Sequence, residues 1–182
     1  MKKSILLAVS MLAMSLPAAQ PARADTDADM IKNAESAAPA AVGLTAAIFA
    51  MGTDGKLKTL REGKTGWWCM PNDPNTPSND PMCGDANAMA WAGAWMGHTV
   101  PPVGKVGFMY MLQGGPVGSN IDPYAMKPPV GENWIATGPH VMIVNSKGVL
   151  AGYTDGGAHP DTTKPYIMWL GTPYEHLMIP IQ

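Results

Sequence analysis

Apolar and polar positions along this chain alternate mostly at a period of two, interrupted twice by stretches at helical spacing. The first such stretch is Asp25 to Ala37. Asp27 and Asp29 are candidate N-caps, Met30, Ile31 and Ala34 share a face, and the helix ends before Pro39. Ala41 to Met51 is apolar with β-branched Val42, Thr45 and Ile48, and Lys56 to Arg61 alternates. Gly52-Thr53-Asp54-Gly55 between them predicts a β-hairpin with Asp-Gly at its tip. Gly66 to Met70 reads as a third strand.

The second helical stretch is Ala86 to Met96, capped by Asp85. Ala88, Met89, Trp91, Ala92, Trp95 and Met96 form a broad apolar face opposed only by Ala90 and Ala94, which predicts a helix buried on most sides. Strands and turns follow. Lys105 to Leu112 presents Phe108 and Tyr110 to one side and Met109 to the other. Gln113 to Gly131 reads as a long loop, and Trp134 to Asn145 as a strand interrupted at Gly138-Pro139. Ser146-Lys147-Gly148 is a turn with a return over Val149 to Tyr153, and Thr154 to Lys164 is another loop. Tyr166 to Leu170 and His176 to Ile181 are the last strands. The expectation is a loop-rich α+β fold: a mainly antiparallel sheet with one or two short helices packed on it.

The first residues change the picture of where the chain resides. Met1-Lys2-Lys3, the apolar run Ile5 to Leu16 and Ala22-Arg23-Ala24 have the layout of a secretory signal over residues 1–24. The apolar run is shorter than the roughly 20 residues that span a bilayer. One globular domain over 25–182, periplasmic or secreted, is the expectation. Without Lys2, Lys3 and Arg23, nine basic residues face 14 acidic ones, a net charge of −5. Neither nucleic acid nor an anionic membrane surface is an expected partner for so sparse a set of cations. In an oxidising compartment, Cys69 and Cys83 are expected to pair and staple the Pro-, Asn- and Asp-rich loop 69–83.

Candidate chemistry is sparse. The chain has no G-x-S-x-G, Walker A loop, dinucleotide fingerprint, H-E-x-x-H or C-x-x-C-H. Methionine is the anomaly, with twelve after residue 24. Two of them follow a histidine by two positions, in His140-Val141-Met142 and His176-Leu177-Met178. On a strand, positions i and i+2 face the same side. If these strands pair, His140, Met142, His176 and Met178 form an N2S2 set, and thioether with imidazole selects Cu(I) over harder ions. The plainer reading is core packing of Met against aromatics.

Trp91 and Trp95 are either core or the aromatic wall of a pocket. His98 ends the Trp-rich helix, where the dipole favours a cation, and His159 reads as an exposed loop residue. Three functions stay open: a binding or accessory protein for copper or a small ligand; an enzyme using His98, His140, His176 and Glu175; or an interaction domain with a Met-rich core.

Several segments carry a resemblance: T-G-W-W-C-M-P-N-D-P (Thr65 to Pro74), D-P-M-C (Asp80 to Cys83), W-M-G-H (Trp95 to His98), T-G-P-H-V-M (Thr137 to Met142) and P-Y-E-H-L-M-I-P (Pro173 to Pro180). Together they resemble a family of uncharacterised secreted bacterial proteins. The resemblance covers most of the chain after residue 24. It implies an exported single domain and supplies no catalytic or binding residue.

Overall fold

The structure, a computed structural model, describes residues 25–150 and 152–181. The expected signal over 1–24 lies outside the described residues. The fold is α+β and mostly antiparallel, with three helices and ten strands among the described residues, eight of the strands in one sheet.

The helix α1 (Asp27–Glu35) is capped by Thr26, whose hydroxyl accepts from the Asp29 N–H at 3.2 Å while the Asp29 carboxylate accepts from the Thr26 N–H at 3.1 Å. This capping box corrects the expected cap at Asp27 or Asp29: the acid is worth more three positions into the helix, where it reaches back. Pro39 then starts a single turn, α2 (Ala40–Gly43), in what read as the beginning of a strand. Arg61 fixes that turn by donating to the Gly43 and Ala46 carbonyls and to the Glu35 carboxylate. Strand β1 therefore begins only at Ala47 and runs to Met51. It forms the expected hairpin with β2 (Leu57–Arg61). Asp54 accepts from the Lys56 N–H in the turn, and Gly55 takes a positive φ of 74°.

Strand β3 (Trp68–Met70) pairs parallel with β1 and antiparallel with β4 (Met82–Gly84), placing Cys69 directly across from Cys83. The two are disulfide-bonded. Asp85 caps α3 (Ala86–Met96) by accepting from the Ala88 N–H, and its second oxygen accepts from the Phe108 N–H. One carboxylate thus ties α3 to β5 (Gly107–Met111). The helix is less enclosed than its composition suggests: Ala94 is buried, but Ala90, Gly93 and Met96 form an exposed stripe. Glycine at 107 lets α3 lie directly on the sheet, since a Cβ there would stand 2.4 Å from the Ala88 nitrogen.

Within the expected loop 113–131, β6 (Gly115–Val117) pairs with β7 (Ile135–Thr137) in a separate two-stranded ribbon. Gly138-Pro139 breaks the next run as expected, and β8 (His140–Val144) follows. No strand forms over Val149 to Tyr153 among the described residues. Both edges of β8 are already taken, by β5 on one side and β10 (His176–Pro180) on the other. The return is made instead by β9 (Tyr166–Met168), beyond β10. The sheet order is β2-β1-β3-β4-β5-β8-β10-β9.

The two faces differ in chemistry. One, with Ile48, Cys69 and Cys83, packs under α1 residues such as Ala34. The other carries Trp68, Met109, Met142, Met178 and Tyr166, and packs under Trp91 of α3 and Trp169.

Candidate functional site

Strands β8 and β10 pair, and their register sets Met142 directly opposite Met178. Directly opposed residues have Cβ atoms about 5 Å apart, so the two thioethers are neighbours. His140 stands opposite Pro180, four residues along β10 from His176. The two imidazoles therefore flank the methionine pair, on one face, with backbones about 14 Å apart along the strands. All four side chains are buried, with exposures of 3% for His140, 7% for Met142, 1% for His176 and 2% for Met178.

The two histidines are held alike. Nδ1 of His140 lies 2.7 Å from the Gly138 carbonyl, and Nδ1 of His176 lies 2.9 Å from the Tyr174 carbonyl. A carbonyl only accepts, so each Nδ1 carries the proton and each Nε2 keeps its lone pair. In each case the carbonyl belongs to the residue two positions back along the chain. Each ring therefore commits its Nδ1 to a carbonyl on the side of its strand away from Met142 or Met178. A protein bond from Nδ1 to a carbonyl is the usual support of a metal-binding histidine. Burial lowers the pKa of His140, and it lowers that of His176 to about 4, with nearby His140 adding to the effect. Both rings are neutral at pH 7. The Nε2 of His140 is buried without a hydrogen-bond partner.

Register also brings in residues that the sequence did not single out. Met109 stands across from Met142, Met111 from His140, Met168 from His176, and Tyr166 from Met178. The spacing in Met109-Tyr110-Met111 was visible, but its alignment with His140-Val141-Met142 depends on which strands pair. The Tyr166 hydroxyl is buried without a partner, and burial pushes its pKa well up. Among the described residues, no three His, Cys, Asp or Glu side chains gather as a metal-binding group. The donors that share the row are imidazole and thioether.

Trp91 and Trp169 lie nearly parallel, and both meet His176 edge-on, with ring centroids 5.1 and 5.0 Å from it. Trp95 packs against both. Trp91 and Trp169 thus flank the histidine end of the row, and Trp95 stands behind them. His98 is exposed and stacks on Tyr124 at 4.1 Å. Glu175 is buried and braces the β9–β10 turn by accepting from the Gly171 N–H at 2.7 Å. The structure therefore joins His140 and His176 in one row but places His98 at the surface and Glu175 in a turn. His159 is exposed, as expected, and lines a surface hollow of about 360 Å³ with Glu132 and Trp134. A second hollow, of about 320 Å³, lies between Val100 and Lys147. Neither hollow is lined by the histidine–methionine row.

Fold and site together define an α+β, disulfide-bonded domain with a buried imidazole–thioether row. Compared with models of protein families, with curated proteins and with solved structures, the chain has no match. Among the described residues no helix is long and apolar enough to cross a membrane.

Proposed function

We propose that this protein is an exported binding or accessory protein for a soft monovalent metal ion, Cu(I), held by His140, Met142, His176 and Met178. One observation carries the reading: the buried, unpartnered Nε2 of His140 shares a sheet face with two paired thioethers and a second imidazole of the same tautomer. An orphaned buried acceptor is costly and calls for a guest. Cu(I) suits this one because it prefers soft donors and demands no carboxylate. Neutral rings spare the ion any competition with protons at pH 7. Binding by all four donors would require both imidazoles to lean in over the methionine pair. The leader-like residues 1–24 and the disulfide support a periplasmic or secreted setting. An enzyme reading is less well supported, because its four polar groups do not meet: His98 is exposed, Glu175 braces a turn, and His140 and His176 are buried in the row.

Core packing is the competing account, since Met168, Tyr166 and Trp91 belong to the same cluster. Competition for Cu(I) against a coloured chelator separates the two. Wild-type protein is expected to withdraw Cu(I), His140→Ala and His176→Ala to fail, and His159→Ala to behave as wild type. Met142→Leu with Met178→Leu conserves volume and costs under about 1.5 kcal/mol per site, yet removes both thioethers and should abolish binding. No withdrawal by micromolar wild-type protein would leave packing as the whole explanation.

A further inference from the structure

The aromatic residues beside His176 form a continuous path to the surface. His176 touches Trp91 and Trp169, and both touch Trp95, at centroid distances of 6.2 and 5.1 Å. The indole N–H of Trp95 donates to the Pro123 carbonyl at 2.8 Å, and that carbonyl carbon is bonded to the nitrogen of Tyr124. Tyr124 is exposed and stacks on exposed His98 with an angle of 3° between the rings. Its hydroxyl donates to that of Tyr174 at 2.9 Å, which donates to the Thr99 carbonyl at 3.0 Å.

Trp169 adopts a left-handed conformation, with φ of 57°. For a bulky side chain that conformation costs on the order of 1–3 kcal/mol and persists only where the surroundings enforce it. Trp169 is fixed by its indole N–H on the Ser119 carbonyl and its backbone N–H on the Asn120 carbonyl, and it places its ring against His176. At the surface end, His98 takes a φ of 54° as the residue that terminates α3, where the Thr99 N–H donates to the Ala94 carbonyl, and this termination sets its ring on Tyr124.

We infer that the series His176, Trp91 and Trp169, Trp95, Tyr124 is a one-electron path between the buried metal row and the surface at His98, serving a small outer-sphere redox partner. The inner end rests on the Cu(I) reading; the path itself does not. In the working step, bound Cu(I) becomes Cu(II). Its electron passes through the rings to an external one-electron oxidant, with no bond made or broken and no proton required.

Pulse radiolysis of the metal-free protein tests the path alone. Azide radical takes one electron from an indole, becoming azide ion, and the indole releases its N–H proton to water. An electron from Tyr124 then reduces the Trp95 radical. The indole regains a proton and the phenol loses one, leaving a phenoxyl radical. The expected result is first-order conversion of indolyl to phenoxyl absorbance at a rate independent of protein concentration. Tyr124→Phe and Trp95→Phe should each slow it by an order of magnitude, whereas Tyr153→Phe, outside the series, should not. Absent conversion, or conversion indifferent to Tyr124→Phe and Trp95→Phe, overturns the path even if copper binds. In the Cu(I)-loaded protein, ferricyanide should generate the Cu(II) electron-spin signal more slowly in Trp95→Phe at unchanged copper content. An unchanged rate there also overturns the path. Failure to load copper overturns the metal reading only, and the radiolysis result still decides the path.

Discussion

Acid should unfold this protein through its buried histidines before its carboxylates take part. In the unfolded chain His176 has an ordinary pKa of about 6.5, whereas in the folded protein burial lowers it to about 4. Between those values the unfolded chain binds a proton that the folded chain refuses, so stability rises with pH across that window and is lost as pH falls through it. Each pH unit is worth about 1.4 kcal/mol, giving about 3 kcal/mol for His176 alone. His140 acts with the same sign. Asp80, raised by burial, acts with the opposite sign and offsets part of the loss at the acid end. Asp29 and Asp161, both held low by hydrogen bonds to threonine side chains, lose their share only below the ordinary carboxylate range. The assay is guanidinium unfolding followed by tryptophan fluorescence, from about pH 7 down to about pH 4.5. The double variant His140→Leu, His176→Leu frees the Gly138 and Tyr174 carbonyls, so it should be less stable at neutral pH. It should also lose much less stability on acidification. Parallel curves for wild type and variant would refute the reasoning, because they would place the pH dependence elsewhere.

Two further outcomes concern the scaffold. Thiol titration of the unfolded, unreduced protein should find no free cysteine, and replacing both Cys69 and Cys83 with Ser should lower stability by about 3 kcal/mol, the value for closing a loop of about 15 residues. Gly107→Ala forces a Cβ against the Ala88 backbone and should cost at least about 1–3 kcal/mol by thermal unfolding, whereas Gly66→Ala, with nothing within 4 Å, should be close to neutral.

Local chemistry made much of this fold legible. Asp85 before an apolar helix, Asp-Gly between two alternating runs, and Gly138-Pro139 splitting β7 from β8 each mark a boundary through backbone geometry that neighbouring residues decide. Pairing is different in kind. Val149 to Tyr153 has the composition of a strand, but β10 occupies the edge it needed. Gly115 to Val117 has the composition of a loop, proline included, yet it finds Ile135 to Thr137 beside it. The candidate site divides the same way. The sharing of a face by His140 with Met142, and by His176 with Met178, follows from a period of two. The apposition of Met142 to Met178, the flanking methionines and the left-handed Trp169 depend on contacts made far along the chain.

Register also exposes a segregation that composition hides. On β8 the inner positions are His140, Met142 and Val144 and the outer ones Val141 and Ile143; on β10 the inner are His176 and Met178 and the outer Leu177 and Ile179. Strand β5 repeats the pattern, with Met109 and Met111 on the same side as His140 and Met142, and Phe108 and Tyr110 opposite. Branched and aromatic residues serve both faces, since Val144 and Tyr166 are buried on the inner side beside the methionines. What sets the inner side apart is that every histidine and every thioether of β5, β8 and β10 falls on it, and none falls on the outer side.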